Sequence, residues 1–383
     1  MFKNMKKNSI LVVLVIGLLS IFQLAEGKIW RTNAYSNYNG INLWGDNYGG
    51  SETYPVFKNV EQAEAVAQNG DTVYVEPGTY PNFQLTRRLT IIGPGYFHTT
   101  GLSYRASNAW FQGIRFEDGA EGSRLIGISY ASGASSIVIS CSDITIERCW
   151  IENAGVSLIV PIDNIKVISC FFGPSPNLNP SNNSGDSFNE SFSSSNPVTN
   201  MEVSNCIFRC PIRILNTTLD KFNNNTLELP YLNNVASLQI KASKCYNNII
   251  KRASNISGTN TPTIQVTSDS IKNCISYAAG QFGNNAALGN ILFTTIGQQN
   301  ALYLNQTGST DVVFRLSPAY LPGTANPVSN LGTDGTQRGA FGGEYPYSLS
   351  GLGPIPVVKD IVTNGTNTPG QGINLKISAG TVK

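Results

Sequence analysis

ITIERCWI, residues 144–151, sets apolar side chains at Ile144 and Ile146, breaks the alternation at the pair Glu147–Arg148, and resumes with Cys149. IKVISCFF (165–172) repeats the pattern with Cys170, MEVSNCIF (201–208) with Cys206, and DKFNNNTL (220–227) with Asn225 in the cysteine place. KCYNNII (244–250) fits with Asn248, or with Cys245 in a shifted frame. DSIKNCIS (269–276) gives Cys274, and upstream AWFQGIRF (109–116) fits with Ile114. Four of the six gaps between these markers span 19 to 26 residues; the other two, 35 and 36, hold one unit plus an insertion or two short units. A unit this short cannot bury its apolar face alone, whereas stacked units share a continuous core. The pattern predicts an all-β parallel solenoid whose equivalent side chains form ladders about 4.8 Å apart.

Residue by residue, these stretches resemble the right-handed parallel β-helix, or pectate-lyase-like, superfamily. Its coils read apolar–x–apolar–x–x–Asn–x–apolar, and FNNNTL (222–227) matches well. The resemblance covers roughly residues 58–320 and implies an exported bacterial β-helix repeat protein, with handedness taken from the family. VEQAEAVAQNGDTVYVEPGTY (60–80) looks like the family's entry segment. Val60 to Gln68 is expected as a capping helix with Val60, Ala63 and Ala67 on one side, ended by Asn69–Gly70. Thr72–Val75 is then the first strand, and LTIIGPG (89–95) another strand and turn. The segment 316–356, rich in Gly and Pro, reads as irregular coil wrapping the last coils, with two final strands near VKDIVTNG and GINLKISAGTVK.

Lys3, Lys6 and Lys7, the apolar run 10–22, and the small residues Ala25 and Gly27 read as a signal peptide, residues 1–27. The expected organisation is then an extended segment at 28–58, the capped β-helix at 59–320 and the closing segment at 321–383. The protein is expected to be secreted or at the cell surface, with no membrane span after cleavage. Losing those lysines and Glu26 takes 26 basic residues to 23 and 24 acidic ones to 23. Zero net charge argues against nucleic acid and anionic lipid as partners. A single histidine, His98, leaves little for histidine-based metal or triad chemistry. The seven cysteines would suggest disulfides in an exported chain, but their odd number and ladder spacing fit core packing better.

The residue after each marker points outward in the family pattern: Trp150, Phe171, Ile207, then Thr226. An outer stripe of this kind is either a platform for sugar rings or a covered surface. The long insertion 173–197 leaves the coil beside it, and Phe188 and Phe192 are its expected cover. The candidate ligand-binding residues are therefore Trp150, Phe171, Ile207, Phe188 and Phe192, with no metal ligands and no assignable catalytic residues. Lyases of this superfamily resemble one another in pairing a Lys or Arg base with carboxylates, often around Ca²⁺. Arg148, Lys166, Glu202, Lys241 and Lys272 look scattered, and Asp186 and Glu190 lie on the insertion. No cofactor is expected, except Ca²⁺ if the chain is a lyase. The expected function is a non-catalytic scaffold binding a polysaccharide or a cell-surface component. The alternative is a polysaccharide lyase or glycoside hydrolase, marked by a Lys or Arg within hydrogen-bond reach of two acidic residues. Oligomeric state is not legible.

Overall fold

The computed structural model describes residues 27–34, 56–97, 108–130, 136–152, 155–159, 161–174, 188–190, 198–230, 236–252, 263–277, 288–293, 296–303, 311–317, 332–351, 356–363 and 375–381. The proposed signal peptide up to residue 26, His98, Asp186 and Phe192 lie outside these residues.

The chain is all-β with long parallel sheets and few helices, an arrangement compatible with a parallel β-helix. Three sheets hold 11, 10 and 5 strands, and every pairing within them is parallel. The chain visits them in rotation. Ile137–Ile139 adds to the third sheet, Thr145–Glu147 to the first and Trp150–Ile151 to the second. The next circuit repeats this with Val156–Leu158, Lys166–Ile168 and Phe171–Phe172. Each circuit therefore stacks every side chain on its equivalent: Ile146 faces Val167 in register, and Val167 faces Val203. These inner residues join one continuous core running from Trp30 to Cys274.

The turn between first and second sheets explains the repeat. Arg148, Ser169, Asn205, Asn224, Asn247 and Asn273 all have positive φ, between 51° and 60°. One left-handed residue turns the chain, and Asn adopts that conformation more readily than most residues. The marker residue follows immediately. Ile114 does not belong to this ladder: Ile114–Phe116 is a third-sheet strand paired with Phe83–Leu85 and Ile137–Ile139. Ile128 takes its place, after Gly127 at φ 65°. Alternating apolar runs look alike in all three sheets, and only the left-handed residue marks the corner. The KCYNNII frame resolves to Asn248, and Asn290 adds a further step the sequence reading missed.

The capping helix runs Val60–Val66, with the Asn59 side chain accepting from the Gln62 amide. It stops before Gln68 because Ala67 is already extended, so Gly70, at φ 98°, serves the following turn rather than the helix end. The Arg87 guanidinium donates to the Glu64 and Ala67 carbonyls at the helix end. Residues 28–58 include two first-sheet strands: Ile29–Thr32 pairs with both Val56–Phe57 and Thr72–Val75. Pro356–Thr363 and Leu375–Thr381 form an antiparallel hairpin. Among the described residues, no helix is long and apolar enough to cross a membrane.

Candidate functional site

The predicted stripe exists as a register column, in which Ser129, Trp150, Phe171, Ile207 and Thr226 pair in succession. It is not open. Trp150 is 7% exposed, and Phe171 and Ile207 are fully buried. They form a second apolar cluster outside the main core, with Tyr96, Phe314, Ala340 and Tyr347. The cover is thus the Tyr96–Phe97 turn, the 311–314 turn and the strap 332–351. Phe97 and Tyr96 pack on Trp150 at 4.4 and 6.2 Å between ring centroids, and Phe314 lies 6.0 Å from Phe171. Of the expected covering residues, Phe188 lies on Phe188–Glu190, a strand paired with Val156–Leu158 in a different sheet from the stripe.

The strap follows the left-handed corner and satisfies the side chains of Ser169, Asn205 and Asn247. Ser169 Oγ donates to the Tyr345 carbonyl at 2.7 Å, and Asn205 Nδ2 donates to the Ala340 and Gly342 carbonyls. Asn247 Oδ1 accepts from the Thr333 amide at 2.9 Å, and its carbonyl accepts from Gly339 at 2.7 Å. The strap's glycines have a reason. Gly351 is left-handed at φ 56°, and a Cβ there would meet Tyr96 Cε1 at 2.2 Å. Beneath the strap, the Tyr96 and Tyr347 hydroxyls meet at 2.7 Å, and Tyr347 donates to Asp311 Oδ2 at 3.0 Å. The Ser350 amide donates to the same oxygen at 2.7 Å. Burial pushes the Asp311 carboxyl up to about 6 and raises both tyrosines well above their usual range.

One wall of an open groove of about 250 Å³ is this strap; the other is the outer face of the first sheet. Residues that look scattered in sequence line up here: Lys166, Glu202, Lys221 and Lys244 pair in successive strands. Lys221 reaches Glu202 at 3.4 Å. Beside them Asn223 Oδ1 accepts from the Tyr246 amide at 2.9 Å, and Lys272 lies 5.6 Å over the Tyr246 ring. The strap contributes Thr333, Asp334, Glu344 and Tyr345. A hydrogen bond to Glu344, with burial, pushes the Tyr345 hydroxyl up to about 12. Lys221, Lys244 and Tyr246 were missed because their alignment depends on strand register. Arg148 stands apart at the corner, and Lys241 pairs with Thr218 and Thr267 on another stretch of the sheet.

A second charged set lies on the second sheet. Arg209 Nε and Lys251 Nζ hold the Glu228 carboxylate at 2.6 and 3.0 Å. Burial pushes that carboxyl up, and the two cations more than offset it, so its pKa falls below the usual range. Lys251 is packed over the Tyr303 and Phe314 rings at 4.7 and 5.0 Å, which closes the set to a polymer. Among the described residues, no group of three or more His, Cys, Asp or Glu side chains is placed to hold a metal ion. The chain matches no protein-family model, no curated protein and no solved structure.

Proposed function

We propose that this is an exported or cell-surface right-handed parallel β-helix of the pectate-lyase-like kind, acting as a non-catalytic scaffold that binds a glycan. The groove between the first sheet and the strap carries this reading. It presents Glu202, Lys221, Lys244 and Tyr246 along adjacent strands, faced by Asp334, Glu344 and Tyr345 of the strap. Mixed donors and acceptors suit a ligand rich in hydroxyls, and aromatic faces suit the C–H faces of sugar rings. The aromatic stripe does not serve this purpose, because the strap already buries it.

The geometry favours binding over cleavage. Lyase chemistry asks for a base beside clustered carboxylates, but among the described residues Lys221 pairs with Glu202 alone, and Glu228 is one acid between two cations. The test is incubation with a panel of acidic and neutral polysaccharides, with and without Ca²⁺, followed by size-exclusion chromatography. The expected result is polymer of unchanged length with protein co-eluting on one of them. Tyr246→Ala should then weaken binding about tenfold, worth about 1.4 kcal/mol. Shortening of any polymer overturns the reading in favour of a lyase or hydrolase.

A further inference from the structure

At the capped end, separate from the strap groove, a larger groove of about 600 Å³ lies between the helix Val60–Val66 and the outer face of the third sheet. Glu61 and Glu64 line it from the helix, and Gln84, Arg115 and Val138 from successive third-sheet strands. Glu64 is 6% exposed. Its Oε1 accepts from the Thr86 amide at 2.6 Å and from the Thr86 hydroxyl at 3.0 Å, which fixes the carboxylate in place. Its other oxygen has no protein partner among the described residues, and the residue lines the groove. Glu61 stands one turn away on the same helix face and has none either. Of the two nearby cations, Arg115 is turned to Glu117, and Arg87 donates to the backbone carbonyls of Glu64 and Ala67 rather than to either carboxylate.

We infer that this groove is a binding site for a ligand presenting a primary ammonium or guanidinium group, with Glu64 as the fixed anchor and Glu61 as the second acceptor. A buried carboxylate held by two hydrogen bonds on one side, with an open oxygen on the other, is prepared to accept from a donor. A cationic donor makes the stronger bond and balances the charge. The asymmetry follows from the chain: Thr86 comes directly after the strand Phe83–Leu85, so the sheet itself orients the helix carboxylate. This site is separate from the strap groove and does not rest on glycan binding there.

Two sources share this chemistry: a lysine or arginine side chain in a peptide, and a free amine. Isothermal titration calorimetry on the full chain would use spermidine, a tetra-arginine peptide, and the fully acetylated counterpart of spermidine. Binding of at least one cationic probe is expected, with affinity about tenfold lower in both Glu61→Gln and Glu64→Gln. Asp269→Asn, which removes an exposed carboxylate that lines neither groove, should leave it unchanged. Glu64→Gln keeps an acceptor for Thr86, and Glu61 is exposed, so both variants retain the fold. Binding by the peptide alone assigns a protein partner; binding by spermidine alone assigns a free amine. Failure of both probes, equal binding by the acetylated compound, or unchanged affinity in the two variants overturns the site.

Discussion

The ladder residues, Cys in some circuits and Asn in others, do one job with two chemistries. Asn225 Oδ1 accepts from the Cys206 amide at 2.9 Å while its Nδ2 donates to the Val203 carbonyl at 3.0 Å. Asn248 repeats this toward Asn225 and Phe222. Cys206 Sγ does the same more weakly, accepting from the Cys170 amide at 3.4 Å and donating to the Val167 carbonyl at 3.5 Å. The thiols are therefore not only small apolar fillers; they close the same backbone turn that Asn closes elsewhere. Asn225→Ala leaves two buried backbone groups without partners and should cost about 2–4 kcal/mol in urea unfolding. Asn225→Cys, which restores the neighbouring circuits' arrangement, should cost less than half as much. Equal losses in the two variants would show that side-chain volume, not hydrogen bonding, governs the position.

Among the elements, the strap decides what the outer face presents. It answers the Asn corner with backbone carbonyls and amides, and it seals Trp150 and Phe171 from water. Its anchor is the buried chain Tyr96–Tyr347–Asp311. Burial raises the Asp311 carboxyl to about 6, above the ordinary 3.8, so the folded state holds the proton more tightly than the unfolded one. This group's contribution is full below about pH 4 and is lost as pH rises through about 6, a change of order 3 kcal/mol. Asp311→Asn should remove that dependence. Thermal melts of the two proteins from pH 4 to 7 should diverge, the native chain losing stability relative to the variant as pH rises. Parallel curves would mean that Asp311 stays ionised and solvated.

For the whole molecule, the three sheets enclose one core, and the strap adds a second apolar layer outside it. Fully burying Phe171 and Ile207 contributes roughly 1.5–3 kcal/mol apiece. A chain ending at residue 331 lacks the strap and should expose this layer. It should bind 8-anilinonaphthalene-1-sulfonate strongly and show much greater acrylamide quenching of tryptophan fluorescence than the full chain. Unchanged dye binding would mean that other segments suffice to cover the stripe.

Much of this architecture was legible. Ile144, Ile146 and Cys149 repeat at spacings that only stacking explains, and the ladder places of Asn225 and Asn248 came with them, whereas the left-handed residue just before each marker was not read. The amphipathic pattern at Val60, Ala63 and Ala67 revealed the cap, and alternation near 358–365 revealed a strand of the final hairpin. These are local signals, carried by neighbouring residues and by backbone conformation. The register column Trp150–Phe171–Ile207 followed from the same repeat. The segments that cover it did not follow, because Tyr96 and Tyr347 meet across 251 residues of sequence. The alignment of Lys221 with Lys244, and the turning of Glu64 toward Thr86, likewise depend on which strand lies beside which. Sequence alone determined the repeat and its apolar faces, since period is encoded locally. Only the tertiary structure decided which of those faces water reaches, since that depends on where distant segments of the chain come to rest.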